Sequence, residues 1–163
     1  MDTTANVKKI TVVGVMTALN IVIARVFLIP VPMTKGFLNL CDAGIVLIAL
    51  LYGANYGGLV GALSGFLLDL LAGAPQYMLF SLVIHGFEGW VFGKVIEKEK
   101  TPGRLVLAVV LATVIVSCGY LACETFLFKF STAIIGFPMN ILQAIVGSLV
   151  GIVLYSQLRK VIH

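Results

Sequence analysis

Charged side chains are scarce in this sequence. Its 163 residues include only 11 lysines and arginines and 7 aspartates and glutamates, while 60% of the residues are hydrophobic. The mean hydropathy is +1.11, and a soluble core of this size could not hide so much apolar surface. The composition therefore excludes an ordinary soluble domain and predicts an integral membrane protein.

Motifs for nucleotide or peptide hydrolysis are also absent. The chain has no P-loop, HExxH, GxSxG or dinucleotide fingerprint. Its three cysteines, Cys41, Cys118 and Cys123, lack CxxC or Cys/His ligand spacing and lie in apolar surroundings, which favours packing over metal binding. We therefore expect no catalytic residues, metal or cofactor, and any energy input must come from elsewhere.

Long apolar runs predict the fold class, an all-α membrane protein in which residues 1–163 form one compact bundle of six transmembrane helices. A helix needs about 20 apolar residues to cross a bilayer, and charge, proline or glycine bounds each run. The second run is short and closely followed by the third, so these two should form a tight hairpin. The predicted spans are 10–29, 39–53, 55–74, 77–96, 104–127 and 136–158.

Lysine and arginine predict the orientation of this bundle. Six spans place both termini on one side, and that side collects far more basic residues than the other. We therefore expect both termini in the cytoplasm, and we interpret the net charge of +4 as a topology signal rather than a nucleic-acid patch. The inner set is Lys8, Lys9, Lys94, Lys98, Lys100, Arg104, Arg159 and Lys160, and the outer set is Arg25, Lys35 and Lys129.

Small residues at helical spacing predict close packing between helices. On the first span, Gly14 and Ala18 are four residues apart; they either pack inside the bundle or present a flat patch to a partner membrane protein. The other spans repeat the spacing at Gly57, Gly61 and Gly65, at Gly86, Gly89 and Gly93, and at Gly147 and Gly151.

Acidic residues inside apolar runs mark the candidate functional site, because an ionisable group at bilayer depth is costly unless it faces protein, water or ligand. Asp42, Asp69, Glu88 and Glu124 lie within or at the edge of such runs. We expect Asp42 and Asp69 to tie helices together near the outer surface, and whether either contacts a substrate stays open.

A polar stripe on the fourth span predicts where a ligand binds. Its members follow i, i+4, i+8 and i+11 and therefore share one helical face, and polar residues at the outer ends of other spans converge with them. We predict a small-ligand pocket; the alternative is that these side chains only bond to one another and hold helices together. The stripe is Tyr77, Ser81, His85 and Glu88, and the converging residues are Asn39, Tyr120, Glu124, Asn140 and Gln143.

The loop after the first span lies on the same outer side. It contains Pro32, Lys35 and Gly36, and it is either a lid over the pocket with Gly36 as hinge or an ordinary connection.

Three runs of this sequence, 38–53, 57–69 and 85–89, closely resemble the substrate-binding S component of energy-coupling factor (ECF) vitamin transporters, and the resemblance extends over nearly the whole chain. It implies a multi-pass subunit of the bacterial plasma membrane that captures a vitamin or precursor outside the cell. It also implies docking, through Gly14 and Ala18, on a module of one transmembrane coupling protein and two ATPases, and it favours the lid interpretation. His85 stands where many relatives have lysine, and Cys41 where many have glycine.

Within that family, the mixture of donors, acceptors and tyrosine faces favours a small hydroxylated heteroaromatic ligand, of the hydroxymethylpyrimidine or pyridoxine type. Pantothenate is the alternative, and it would need Arg25, Lys35 or Lys129 to point inward.

Three other classes of function stay open. A self-sufficient secondary transporter would use Asp69, Glu88 or Glu124 as a proton relay. An intramembrane enzyme would need Ser81 and His85 as nucleophile and base. A purely structural membrane subunit would bind no ligand.

Overall fold

Six helices make up most of the chain in the computed structural model, which describes residues 3–30 and 37–162. A two-residue antiparallel pair, β1 (Ile29–Pro30) with β2 (Phe37–Leu38), lies between the first two helices. The all-α class is therefore confirmed, with this small hairpin as an unpredicted addition. The helices are α1 (Thr3–Val26), α2 (Cys41–Tyr52), α3 (Ala54–Ala72), α4 (Met78–Ile96), α5 (Pro102–Leu127) and α6 (Phe130–Ile162).

Helix α4 is polar on its inner face and apolar on its outer face. Tyr77, at the start of the helix, is buried together with His85, whereas Leu79, Val83 and Phe87 are 68%, 64% and 51% exposed. A water-soluble helix shows the reverse arrangement. Five helices, all but α2, are long and apolar enough to cross a membrane, so the chain is a multi-pass membrane protein.

Helix α2 is the exception, because its 12 residues extend only about 18 Å at 1.5 Å per residue. That is shorter than the hydrocarbon core of a bilayer, about 30 Å. Eight of its residues are buried, and it packs against α1, α3, α4 and α6. The predicted second span is therefore a short helix in the centre of the bundle, joined to α3 through Gly53 alone, at φ +88°. The tight hairpin is confirmed.

Glycines bring the backbones of α3 and α4 into contact, as the spacing predicted. A Cβ added at Gly57 would lie 2.8 Å from the carbonyl oxygen of Gly89, and one added at Gly61 would overlap the carbonyl oxygen of His85. On α6, a Cβ at Gly147 would lie 2.6 Å from the Cβ of Asp42. These approaches leave α3, α4 and α6 little room to shift near the candidate site.

The two terminal helices differ most from the predicted spans. Helix α1 begins at Thr3 rather than at residue 10, because Lys8 and Lys9 end the apolar run without ending the helix. Helix α6 begins at Phe130 rather than at residue 136 and includes Pro138. Pro138 lies inside both the predicted span and the helix, and transmembrane helices tolerate proline where neighbouring groups satisfy the freed backbone.

Candidate functional site

A polar cavity lies at the end of the bundle away from both termini. Its wall is formed by the C-terminal ends of α3 and α5, the N-terminal parts of α4 and α6, and the residues that flank the β1–β2 pair. Its volume is about 40 Å³, which is room for a few waters, so a ring-sized ligand must displace side chains or chain segments around it. The lining residues are Leu28, Asn39, Gly65, Leu68, Asp69, Ala72, Tyr77, His85, Tyr120, Glu124, Gly136, Asn140 and Gln143.

Two tyrosines connect α4 with α5 at this wall. The Tyr77 hydroxyl donates to Glu124 Oε1 over 3.4 Å, and the Tyr120 hydroxyl lies 2.7 Å from Ser81 Oγ. The two rings are 6.4 Å apart between centroids and tilted by 60°. The wall therefore offers aromatic faces as well as hydroxyl groups.

His85 lies at the boundary between the cavity and the core. Its Nε2 is 3.1 Å from the Tyr120 hydroxyl, and its Nδ1 is 2.8 Å from Glu88 Oε2 and 3.6 Å from Asp42 Oδ1. Asp42 and Glu88 are both 0% exposed and do not line the cavity. The imidazole therefore separates two buried carboxylates from the space that a ligand would enter.

Three atoms of the cavity residues have no hydrogen-bond partner within the part of the chain that the structure describes. They are Asp69 Oδ2, Glu124 Oε2 and Asn140 Nδ2. A buried polar group without a partner costs about 1–3 kcal/mol, so these two acceptors and one donor favour a ligand that hydrogen-bonds to them.

Asn39 and Gln143 connect the entry of α2 to α6. The backbone N–H of Asn39 donates to Gln143 Oε1 over 3.0 Å, and Asn39 Oδ1 accepts from the backbone N–H of Cys41 over 2.7 Å. The first turn of α2 is thus tied to the cavity wall.

Seven of the nine predicted pocket residues line the cavity. Ser81 and Glu88 do not: Ser81 contacts Tyr120, and Glu88 lies behind His85. Asp69 lines the wall; we expected it to tie helices together and left open whether it contacts a substrate. The predicted lid residues, Pro32, Lys35 and Gly36, lie outside the described residues.

Helix α1 turns Gly14 and Ala18 outward, since both are exposed and a Cβ added at Gly14 would meet nothing within 4 Å. Its inner face carries Asn20, which sequence reasoning missed. The Asn20 Nδ2 donates to the Cys41 carbonyl and to Ser64 Oγ, each over 3.1 Å. An asparagine inside an otherwise apolar run was the signal for this contact.

Asp42, His85 and Glu88 each bring one possible ligand atom within 4.8 Å of the others, a spacing that could hold a metal ion. Both ring nitrogens of His85 already face protein partners, Glu88 on one side and Tyr120 on the other. We therefore interpret the three residues as a buried ion-pair cluster.

The sequence of this chain is similar to a known protein family and to individual relatives. A family model described as ECF-type riboflavin transporter, S component, matches residues 4–160. The chain is 36% identical over 156 residues to the thiamine precursor transporter HmpT of Lactococcus lactis subsp. cremoris (strain MG1363), which covers 95% of this chain and 90% of that protein. It is 35% identical over 123 residues to an uncharacterized protein in the gap 3′ region of Pyrococcus woesei, which covers 76% of this chain and 82% of that protein.

Among solved structures, the S component for biotin from an ECF-type ABC transporter matches with a TM-score of 0.61 and 19% sequence identity. The match covers 98% of this chain and 95% of the solved chain. At this level of identity the likeness shows a shared fold.

Proposed function

Because the chain belongs to the ECF-type riboflavin transporter S component family, we propose that it captures a small heteroaromatic vitamin precursor of the hydroxymethylpyrimidine type for an ECF-type importer. The names of its relatives mention riboflavin, a thiamine precursor and biotin, so family membership alone does not choose the substrate. The choice depends on the cavity.

The observation that carries this proposal is the set of unpartnered atoms in the cavity wall. Asp69 Oδ2 and Glu124 Oε2 can only accept hydrogen bonds when their carboxyls are ionised, and Asn140 Nδ2 donates. Hydroxymethylpyrimidine carries an exocyclic amine and a hydroxyl as donors and two ring nitrogens as acceptors. These ligand groups could hydrogen-bond to all three unpartnered protein atoms. The side chains of Tyr77 and Tyr120 offer aromatic faces for the pyrimidine ring.

Charge distinguishes this ligand from pantothenate, one of the alternatives within the family. Two carboxylates, Asp69 and Glu124, line the cavity and would repel the carboxylate of pantothenate. Arg25 and Lys129 are exposed and do not line it. A pyridoxine-like ligand carries hydroxyl donors but no exocyclic amine, and it is the closest competitor.

Native mass spectrometry of the purified protein, released gently from detergent, tests the capture role. A co-purified aminopyrimidine would support the proposal, and a co-purified pyridine would move it to the competitor. Calorimetry with hydroxymethylpyrimidine then measures the affinity of Glu124→Gln and Asn140→Ala, which we expect to lose about 1–3 kcal/mol of binding free energy each. Full affinity in both variants would place the ligand elsewhere.

Docking on a coupling protein accompanies this function in our proposal. Gly14 and Ala18 form an exposed, smooth strip on α1, as close helix–helix approach in a membrane requires. ATP hydrolysis would take place on partner ATPases, since the sequence lacks a P-loop. Both termini are proposed to lie in the cytoplasm, on the basis of the lysine and arginine distribution.

The secondary-transporter and enzyme alternatives receive less support. A serine nucleophile needs a hydrogen bond from its hydroxyl to the histidine base. The Ser81 hydroxyl is instead paired with the Tyr120 hydroxyl. A proton relay through Asp69, Glu88 and Glu124 would predict uptake that stops with an uncoupler and persists without ATPases. Uptake assays in vesicles with and without the ATPase subunits separate that mechanism from an ECF-type one.

A further inference from the structure

We propose that Asp42 and Glu88 are positioning residues that act through His85 to make the α4–α5 wall of the cavity a hydrogen-bond donor, so that the protein selects a heteroaromatic ring whose nitrogen accepts at that wall. This inference deepens the proposed function and rests on it.

The first step is the orientation of the His85 ring. Its Nδ1 lies 2.8 Å from Glu88 Oε2 and 3.6 Å from Asp42 Oδ1. An ionised carboxylate only accepts hydrogen bonds, so the hydrogen between His85 and Glu88 belongs to Nδ1. Carboxylate partners of this kind fix the tautomer and the orientation of an imidazole.

The second step is the charge of the ring. Asp42 and Glu88 are fully buried, and each of the ion pairs found for them in the described residues is with His85. A neutral imidazole would leave two uncompensated negative charges in the core, which is strongly unfavourable. An imidazolium cancels one of these charges and lies beside both carboxylates, and its Nε2 therefore also carries a hydrogen.

The third step is the effect of the His85 charge on the hydrogen-bond direction of Tyr120, which lines the cavity. Nε2 lies 3.1 Å from the Tyr120 hydroxyl, so a protonated Nε2 donates to the Tyr120 oxygen. The Tyr120 hydrogen must then point onward, either to Ser81 Oγ at 2.7 Å or to a ligand. With His85 neutral and Nε2 accepting, Tyr120 would direct its hydrogen at His85 instead and face the ligand as an acceptor.

The resulting cavity has a donor wall at Tyr120 and acceptors at Asp69 and Glu124. An aminopyrimidine matches this pattern, because its ring nitrogen accepts and the neighbouring amine donates. The corresponding oxopyrimidine carries a ring N–H beside a carbonyl, so its donor and acceptor are exchanged. We expect the protein to prefer the aminopyrimidine by about tenfold or more, since each mismatch leaves a buried polar group unpaired.

The experiment combines binding with a spectroscopic measurement on the intact protein in lipid nanodiscs. The sequence contains only two histidines, His85 and His163, so ¹⁵N-histidine NMR with a His163→Gln variant assigns the ring nitrogens of His85 directly. Wild type should show an imidazolium at neutral pH. Glu88→Gln combined with Asp42→Asn should shift His85 to the neutral form and reduce the preference for aminopyrimidine over oxopyrimidine about tenfold.

Ser117→Ala is the matched control, because Ser117 is buried in α5 and bonds to the Thr113 carbonyl within its own helix. It should change neither the His85 spectrum nor the preference. If the double variant does not fold, Glu88→Asp, which keeps the charge, should preserve both readouts, and the wild-type spectrum tests the charge of His85 without any variant.

A neutral His85 in wild type, or a folded double variant that keeps the full preference, would overturn the inference alone. Failure of wild type to bind either pyrimidine would instead overturn the proposed function and, with it, the selection.

Discussion

Gly136 offers a steric test of the cavity that leaves its polar groups in place. This residue lies on α6 in the cavity wall, and a Cβ added there would lie 2.7 Å from Glu124 Oε2. Ordinary van der Waals contact begins at 3.4 Å, so the carboxylate must withdraw by about 0.7 Å, the difference between the two distances. Because the obstacle is the end of a flexible side chain, Gly136→Ala should move Glu124 rather than the helices.

The substitution should affect stability and binding in opposite directions. Alanine is favoured over glycine in a helix by about 0.5–1 kcal/mol, so the apo protein should be equally stable or slightly more stable. A displaced Glu124 would no longer pair with the ligand, and that loss costs about 1–3 kcal/mol, or about 5- to 150-fold in affinity.

Thermal unfolding and calorimetry with hydroxymethylpyrimidine, both in the same detergent, measure the two quantities. Gly103→Ala on α5 is the control, because its added Cβ would meet nothing within 4 Å, and it should leave affinity unchanged. Unchanged affinity in Gly136→Ala would refute the assignment of Glu124 to the ligand. A large loss of stability would show that the helices, not the side chain, absorb the contact.

Three further predictions follow from the packing. Gly14→Leu with Ala18→Leu should abolish pull-down of the coupling protein while calorimetry shows intact ligand affinity, and loss of ligand binding would place this strip inside the fold. Gly61→Ala should lower the free energy of unfolding by about 1–3 kcal/mol, because its Cβ would meet the His85 backbone; a thermal shift no larger than that of Gly14→Ala would contradict this. Asn20→Ala should destabilise the protein by about 1–3 kcal/mol in denaturant titrations, because Ser64 and the Cys41 carbonyl lose a buried partner, and an unchanged midpoint would contradict this.

The helices were predictable where the signals were local. The fifth span was predicted to begin at residue 104, two residues after Pro102 begins α5. Thr101 caps this helix by accepting from the backbone N–H of Arg104, a local signal that capping rules explain. The start of α6 was missed because Gly136 bounds the predicted sixth run, whereas the helix begins at Phe130 and continues through this glycine. The second span was correctly predicted to be short, but its position in the centre of the bundle depends on packing against four helices, which no local signal indicates.

Helical periodicity predicted which side of α4 faces inward, but not how deep the cavity reaches. Glu88 shares a face with His85 and lies one turn further from the cavity, so the stripe continued past the space that a ligand can occupy. Asp69 was named among the acidic residues of the candidate site but was left out of the predicted pocket, although a signal for its place existed. It follows Gly65 by four residues and so continues the glycine face of α3, which packs on the polar stripe of α4.

Helix α1 has an outer face that we propose for docking and an inner face that contacts the part of the bundle that leads to the ligand cavity. Gly14 and Ala18 face outward, while Asn20 holds the inner side to the Cys41 carbonyl. The backbone N–H of Cys41 in turn bonds to Asn39 in the cavity wall. Helices α3 and α4 meet backbone to backbone at their glycines, whereas α1 is attached partly through the side-chain amide of Asn20. A partner bound to the outer face of α1 would therefore contact a helix whose inner face is joined, through Cys41, to Asn39 in the cavity wall.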